Sequence, residues 1–251
     1  MHKVYNVEVT YKNLSGIHVY EFAPVNPDRD RLVIFQHGFT MNKEDGSWNQ
    51  CMHYASRGIK AVAIDAYGHG ERKTKQLQYD DYLTEMKYFY EIIVNTAHDI
   101  KNLYETHYKD QYPVFNIAGE SMGGMLTFMV GCITPNLKAI ASVVGSPSLV
   151  FYGYEDMAYH NCDDKQYAGM LDNLEVYDAM SHLEKFLDVK MYFINGTRDM
   201  VVPKKYAIEF KRIMEETYQK NDIVYKEVDC DHWVPHEHLI SMYDWAIEHF
   251  E

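Results

Sequence analysis

Residues 113–124, PVFNIAGESMGG, decide the fold of this chain. A short apolar run ends here in Gly-Glu-Ser-Met-Gly, residues 119–123, and a helix-like apolar sequence follows at 125–133. A serine between two glycines at this point is typical of a sharp turn from a strand into a helix, because the turn leaves little room for a Cβ. Such a turn exposes the serine hydroxyl beside a helix N-terminus, which favours negative charge. Ser121 is therefore the predicted nucleophile, whereas an ordinary Gly/Ser turn would lack the strand before it and the helix after it.

Strands and helices alternate around this turn. Apolar runs predict buried strands at 32–35, 61–65, 114–117, 139–144, 190–194 and 223–228. Alternating apolar and polar residues predict an antiparallel hairpin with strands at 4–11 and 16–24. Helical spacing predicts helices at 48–57, 79–108, from the serine turn to 134, from Pro203, and at 238–250. The sequence thus predicts an α/β fold: a mostly parallel eight-stranded sheet with helices on both faces.

One segment departs from this alternation. Residues 151–185 are aromatic, rich in methionine and acidic, with patchy helical spacing and no strand pattern. We interpret the segment as a small cap inserted over the carboxyl edge of the sheet. A length of 251 residues suits one domain with a single large core, so we predict one domain over 1–251 that carries this insertion.

Composition excludes several classes of partner. A net charge of −13 argues against a nucleic-acid groove and against an anionic membrane surface. The N-terminal sequence MHKVYNVEVTYK has no apolar segment typical of a signal peptide, and no window has the length of a membrane span. The 4 cysteines show no C-x-x-C spacing. Reduced cysteines in a cytoplasmic protein are the simplest interpretation, with no nucleic acid and no membrane as partner.

Two later loops carry candidate partners for Ser121. A serine hydroxyl is a weak nucleophile until a base takes its proton, and an acid must fix the tautomer of that base. Because parallel strands end at one edge of the sheet, the partners should follow later strands. Asp199 follows the strand at 190–194, and His232 follows the strand at 223–228. We predict Asp199 as the acid and His232 as the base.

Other interpretations of these loops remain open. Asp199 also suits the cap of the helix that begins near Pro203. Asp229 and Asp231, on the loop after the next strand, are competing acids.

The histidines of the last loop also suit a metal site. His232, His236 and His238 lie close to Asp231 in the sequence, and such spacing occurs at zinc sites. No second cluster of ligand residues accompanies them, and a catalytic role already accounts for His232. We therefore expect no metal, with His236 and His238 on the surface at a helix start.

An oxyanion needs backbone N–H donors, and two are predicted. The N–H of Met122 directly follows the nucleophile. The N–H of Phe39 follows His37-Gly38 on the loop after the first buried strand. These two donors would face the oxygen of a tetrahedral intermediate.

Five motifs occur in order along the chain: HGFTMNKED at 37–45, DAYGHGER at 65–72, GESMGG at 119–124, NGTRDMVVP at 195–203 and DCDHW at 229–233. From residue 31 onward, the cap aside, this set resembles the α/β-hydrolase superfamily. It is most similar to bacterial esterases grouped with dienelactone-hydrolase-like and prolyl-oligopeptidase-like enzymes. The resemblance implies a triad of Ser121, Asp199 and His232, with Phe39 and Met122 as oxyanion donors. It also implies an acyl-enzyme route without cofactor. Glu120 departs from many relatives, in which His, Tyr or Asp is commoner.

Large apolar side chains near the predicted turn and in the cap are candidates for the substrate pocket. We name Trp48, Phe151, Tyr152, Met157, Tyr159, Tyr167, Met170 and Trp233. Together they suit an ester of small to medium acyl size, apolar or aromatic. Long-chain lipids are disfavoured, because no amphipathic lid helix has a strongly apolar face.

Several activities share these motifs. A thioesterase or lactonase uses the same triad, and so does a small-peptide hydrolase of the aminopeptidase type, although that type normally has a larger recognition domain. A catalytically silent binding protein usually loses a triad member, and all three are present here. Exposed aromatic side chains of the cap also suit a homodimer contact.

Overall fold

Residues 3–73 and 81–251 are described by the structure, a computed structural model of the protein. Eight strands form one sheet: β1 Val7–Leu14, β2 Ile17–Pro24, β3 Leu32–Gln36, β4 Lys60–Ile64, β5 Phe115–Glu120, β6 Leu137–Val143, β7 Lys190–Gly196 and β8 Ile223–Val228. Seven α-helices are described: α1 Trp48–Ser56, α2 Tyr82–Leu103, α3 Met122–Ile133, α4 Val150–Tyr159, α5 Lys165–Asn173, α6 Lys205–Tyr218 and α7 His236–His249. None of the described helices is both long and apolar enough to cross a bilayer.

The strands lie in the order β1-β2-β4-β3-β5-β6-β7-β8. β2 pairs antiparallel with β1 and β4, and every other pair is parallel. In the centre of the sheet, Ile34 lies opposite Val62 on one side and Ile117 on the other. The predicted mostly parallel eight-stranded sheet is confirmed. All predicted catalytic loops therefore leave the sheet at its carboxyl edge.

Apolar layers cover both faces of the sheet. Alternate residues of β3 enter different layers, because successive strand side chains point to opposite faces: Leu32 and Ile34 on one face, Val33 and Phe35 on the other. Helices α2, α3 and α6 bury residues in the first layer, and α1 and α7 bury residues in the second. Each fully buried side chain of this size contributes about 1.5–3 kcal/mol of transfer free energy.

The edge hairpin is tighter than the sequence predicts. β1 continues to Leu14, and only Ser15 and Gly16 form the turn, both with positive φ, 55° and 89°. Two central residues with positive φ match the right-handed twist of the flanking strands. Residues 12–15, which separate the two predicted strands, are therefore mostly strand.

The long predicted helix is α2 followed by a wide turn. Residue 79, its predicted start, lies outside the described residues, and the Asp81 side chain accepts the backbone N–H three residues on, at 2.9 Å. At Tyr104–Tyr108 the helix widens into a π-turn. The hydroxyl of Tyr108 donates to Glu21 Oε1 at 2.8 Å, which fastens this turn to β2.

The segment 151–185 is built from α4, α5 and three 3₁₀ turns, at Glu175–Tyr177, Ala179–Ser181 and Leu183–Phe186. Asp178 is almost fully buried and accepts the N–H groups of Leu149 and Val150, at 2.7 and 2.8 Å. This contact fastens the start of α4 just after the carboxyl end of β6. Tyr167 of α5 is fully buried in the layer that covers α2.

Candidate active site

The turn at Ser121 has the sharp geometry that its sequence predicts. Ser121 lies between β5 and α3 with φ 57° and ψ −117°, a strained conformation for a residue with a side chain. A Cβ on Gly123 would lie 2.0 Å from the carbonyl oxygen of Gln36, and one on Gly119 would lie 2.3 Å from that of Gly123. The helix can approach β3 this closely only because both positions are glycine.

A continuous hydrogen-bond chain joins the three residues predicted as a triad. The hydroxyl of Ser121 lies 2.8 Å from Nε2 of His232, and Nδ1 of His232 lies 2.8 Å from Oδ2 of Asp199. The other carboxylate oxygen of Asp199 accepts the N–H groups of Val201 and Val202, at 2.8 and 3.0 Å. An acceptor-only carboxylate fixes the proton on Nδ1, so Nε2 is free to accept the proton of Ser121.

The environment keeps Asp199 ionised. Its side chain is fully buried, which by itself raises the pKa of the carboxyl group. The hydrogen bonds from His232 and from the backbone N–H groups of Val202 and Val201 outweigh this effect, so the pKa of Asp199 lies below its usual value. Asp199 can thus hold the imidazole in one orientation and stabilise its positive charge when it takes a proton.

The competing acids lie elsewhere. Asp229 and Asp231 are exposed, and both form ion pairs with Arg198. Neither has a contact with His232 among the hydrogen bonds described. His236 and His238 are exposed in the first turn of α7, as the sequence predicts for them. Across residues 3–73 and 81–251, no group of three or more His, Cys, Asp or Glu is arranged to hold a metal ion.

One predicted oxyanion donor belongs to the residue after Ser121, and the other belongs to the loop after β3. Met122 is the first residue of α3, where N–H groups have no acceptor within the helix. Phe39 lies on the tight loop after β3, in which the N–H of Met41 donates to the carbonyl of Gly38 at 3.2 Å. Phe39, Ser121 and Gly38 line the same cavity.

A buried ion pair supports this loop, and sequence reasoning did not identify it. Lys43 Nζ lies 2.7 Å from Oδ2 of Asp65, and both side chains are inaccessible to solvent. Asp65 also accepts the N–H groups of Lys43, at 2.8 Å, and of Glu71, at 3.0 Å. The pair joins the loops after β3 and β4. The motifs at 37–45 and 65–72 contain these residues, but only their folded positions reveal the pairing.

A cavity of about 200 Å³ opens at Ser121. Its walls are formed by Gly38, Phe39, Thr40, Met41, Glu120, Ser121, Val201, His232 and Trp233. Burial raises the pKa of Glu120, and the nearby His232 partly opposes that rise. The cavity is smaller than the 300–1,000 Å³ that is usual for sites of drug-sized ligands.

A second, open groove of about 500 Å³ shares Val201 with this cavity. Its walls are formed by Tyr152, Glu155, Asp156, Tyr159, His160, Met200, Val201 and Pro203. Helix α4 supplies four of these eight side chains. The groove therefore runs beside the segment 151–185 and meets the cavity at Val201.

The structure divides the predicted pocket residues. Trp233 lines the cavity, and Tyr152 and Tyr159 line the groove. The other five residues line neither the cavity nor the groove.

Trp48, the first residue of α1, packs edge-on against Tyr20 and Phe22 and not in the predicted pocket, with ring centroids 5.2 and 4.9 Å apart. Met157 and Tyr167 are buried in the apolar layer of α2, and Met170 packs against that layer. Phe151 is 57% exposed and belongs to neither wall. Hydrophobic composition alone could not separate wall residues from core residues in this segment.

The strand order, the strained serine turn and the hydrogen-bond chain define an α/β-hydrolase. The chain belongs to the acetyl xylan esterase family (AXE1), whose sequence model matches residues 1–239. This membership identifies the protein as an ester hydrolase.

Similar proteins agree with this family. The chain is 28% identical to the "Putative esterase YitV" of Bacillus subtilis (strain 168) and covers 98% of that protein with 95% of its own length. It is 24% identical to "Esterase YjfP" of Escherichia coli (strain K12), with 84% of this chain and 86% of that protein covered.

Solved structures share the fold. TT1662 from Thermus thermophilus matches 97% of this chain and 96% of its own, with a TM-score of 0.73 and 18% identity. Acetyl xylan esterase 1 from Thermoanaerobacterium sp. JW/SL YS485 matches 98% of this chain and 89% of its own, with a TM-score of 0.64 and 16% identity.

Proposed function

We propose that the protein is a serine carboxylesterase that forms an acyl-enzyme on Ser121. The observation that supports this most is the chain of 2.8 Å contacts from Ser121 through His232 to Asp199. Ser121 Oγ attacks the ester carbonyl carbon while its proton passes to Nε2 of His232. The C–O bond to the alcohol then breaks, and His232 returns the proton to the leaving alkoxide. A water molecule, deprotonated by His232, releases the acid in the same way.

The oxyanion of each tetrahedral intermediate is proposed to accept the N–H groups of Phe39 and Met122. Met122 directly follows the serine, Phe39 lines the same cavity, and the N-terminus of α3 adds a favourable partial charge. Removing one such donor typically lowers kcat by about 10²–10³-fold. Because the donors are backbone groups, Phe39→Ala should alter the cavity shape and leave the donor in place.

The cavity dimensions favour a small acyl group. About 200 Å³ beside the serine accommodates an acetyl or other short acyl chain, and its walls are mostly apolar. The adjoining groove, with Tyr152, Tyr159 and two carboxylates, is open enough for the alcohol part of the ester. We propose that 151–185 acts as a cap that shapes this alcohol side. With the family name in view, acetyl esters of polyhydroxylated alcohols are the proposed substrate class.

The experiment compares p-nitrophenyl esters from acetate to decanoate, and a benzoate, for the wild type and Ser121→Ala. We expect the highest kcat/KM on acetate or propionate, and a loss of at least about 10⁴-fold in Ser121→Ala. Turnover that survives in Ser121→Ala would refute the serine mechanism. An optimum at octanoate or longer would refute the small acyl site. Acetate release from acetylated xylo-oligosaccharides tests the proposed polyhydroxylated alcohol, and oligosaccharides left intact by the wild type would refute it.

A further inference from the structure

Two buried histidines link the loop that carries Phe39 to the loop after β4. His37 belongs to the first loop, and its Nε2 accepts the N–H of Ala66, on the second loop, at 2.9 Å. His69 belongs to the second loop, and its Nε2 accepts the N–H of Thr40, on the first loop, at 3.2 Å. Each loop thus supplies one imidazole and one backbone donor to the other.

The second nitrogen of each ring fixes its tautomer. Nδ1–H of His69 donates to the carbonyl of Tyr67 at 3.0 Å, and Nδ1–H of His37 donates to that of Gly38 at 2.7 Å. Burial lowers the pKa of His69, an effect that the carbonyl of Tyr67 partly opposes. It lowers the pKa of His37 to about 4. Neutral rings keep both Nε2 lone pairs available as acceptors at neutral pH.

His69 contacts the oxyanion loop in two ways. Its ring lies edge-on to the ring of Phe39, with centroids 5.5 Å apart. Its Nε2 holds Thr40, which has a φ of 66°. A residue with a side chain keeps such a φ only when its surroundings impose it, at a cost of about 1–3 kcal/mol. The N–H of Phe39 shares a peptide plane with the carbonyl of Gly38, which His37 contacts. The next peptide plane ends at the N–H of Thr40 that His69 holds, so the two planes meet at the Cα of Phe39.

We propose that His69 is a positioning residue for the oxyanion hole, because its Nε2 holds Thr40 and thereby aims the N–H of Phe39 at the reacting carbonyl. The inference rests on the proposed serine mechanism, in which that N–H is a donor. A purely structural His69 would contribute packing against Phe39 and stability, with no selective effect on the transition state.

A matched pair of substitutions separates these roles. In His69→Gln the amide oxygen lies near the position of Nε2 and can accept the N–H of Thr40. In His69→Asn the amide lies near the position of Nδ1, keeps a donor for Tyr67, and does not reach Thr40. Both replacements are polar and fit the space of the ring.

We expect His69→Gln to keep kcat within about 3-fold of the wild type, and His69→Asn to lose about 10–100-fold in kcat with little change in KM. Inhibition by a phenylboronic acid, whose tetrahedral adduct places an oxygen in the oxyanion hole, should weaken by a similar factor in His69→Asn. His107→Asn, at an exposed histidine bonded to Ser15, is the control and should match the wild type. A fluorophosphonate titration of Ser121 corrects each rate for the folded, reactive fraction.

Three results would overturn the inference: wild-type kcat in His69→Asn, equal losses in the Asn and Gln variants, or a loss confined to KM. The outcome for Ser121→Ala, measured in parallel, is independent of these. If Ser121→Ala retains turnover, the proposed mechanism fails, whatever His69 does.

Discussion

Asp199→Asn should inactivate the enzyme through a reversed tautomer of His232. Two backbone N–H groups, of Val201 and Val202, donate to one oxygen of the carboxylate, at 2.8 and 3.0 Å. In an asparagine, the amide oxygen must stay with these two donors, so the NH₂ group faces Nδ1 of His232. Nδ1 then has to accept, and the ring proton moves to Nε2, which points at Ser121.

A histidine in this tautomer cannot take the proton of Ser121. We expect kcat to fall by about 10⁴-fold, the size of loss found when the triad tautomer is reversed. The assay is p-nitrophenyl acetate hydrolysis at pH 7.5, with burst titration to count active sites.

Asp231→Asn is the matched control, because Asp231 is an exposed acid on a neighbouring loop that pairs only with Arg198 among the described ion pairs. It should retain wild-type kcat. If Asp199→Asn keeps activity within about 10-fold of the wild type, the tautomer argument is refuted. A large loss in Asp231→Asn would show that the acid was assigned to the wrong loop.

Further predictions concern the turn at Ser121. Gly123→Ala places a Cβ 2.0 Å from the carbonyl oxygen of Gln36, so we expect at least about 2 kcal/mol of destabilisation in urea unfolding. Gly169 lies on α5 with open space around it, so Gly169→Ala should stabilise the protein by about 0.5–1 kcal/mol. Equal changes in the unfolding free energy of the two alanine variants would contradict this prediction. Burial, partly opposed by His232, raises the pKa of Glu120. The stability that its protonated form contributes is therefore present below the ordinary pKa of about 4.5 and is lost as pH rises through the higher pKa of the folded state. The difference in unfolding free energy, Glu120→Gln minus wild type, should therefore increase between pH 4.5 and pH 8. A difference that stays constant over this range would contradict the prediction.

The sequence predicted what depends on chain order and local geometry. Parallel strands end at one edge, so placing Asp199 and His232 after their strands brought them to the edge that carries Ser121. The glycines at 119 and 123 predicted the close approach of helix and strand. The alternatives Asp229 and Asp231 could not be decided from sequence, because a shift of a few residues along a loop changes which side chain faces inward.

Contacts between distant loops leave no local pattern in the sequence. His69 lies in the motif at 65–72, but nothing in that motif indicates that its ring accepts the N–H of Thr40. Its size makes Trp48 a candidate for the pocket, whereas in the structure its ring packs against Tyr20 and Phe22 of β2. Pocket membership depends on the direction of each side chain, and a list of aromatic residues does not contain that information.

The position of His232 makes catalytic activity depend on β8, the strand at one edge of the sheet. His232 follows β8, which among the described strands pairs with β7 alone, and its partner Ser121 lies 111 residues earlier in the chain. A nascent chain would stay inactive until this last strand leaves the ribosome and docks. In mature protein, fraying of β8 would separate base from nucleophile while the central strands remain paired. Activity should then vanish at lower urea concentration than the central amides lose their protection from hydrogen exchange.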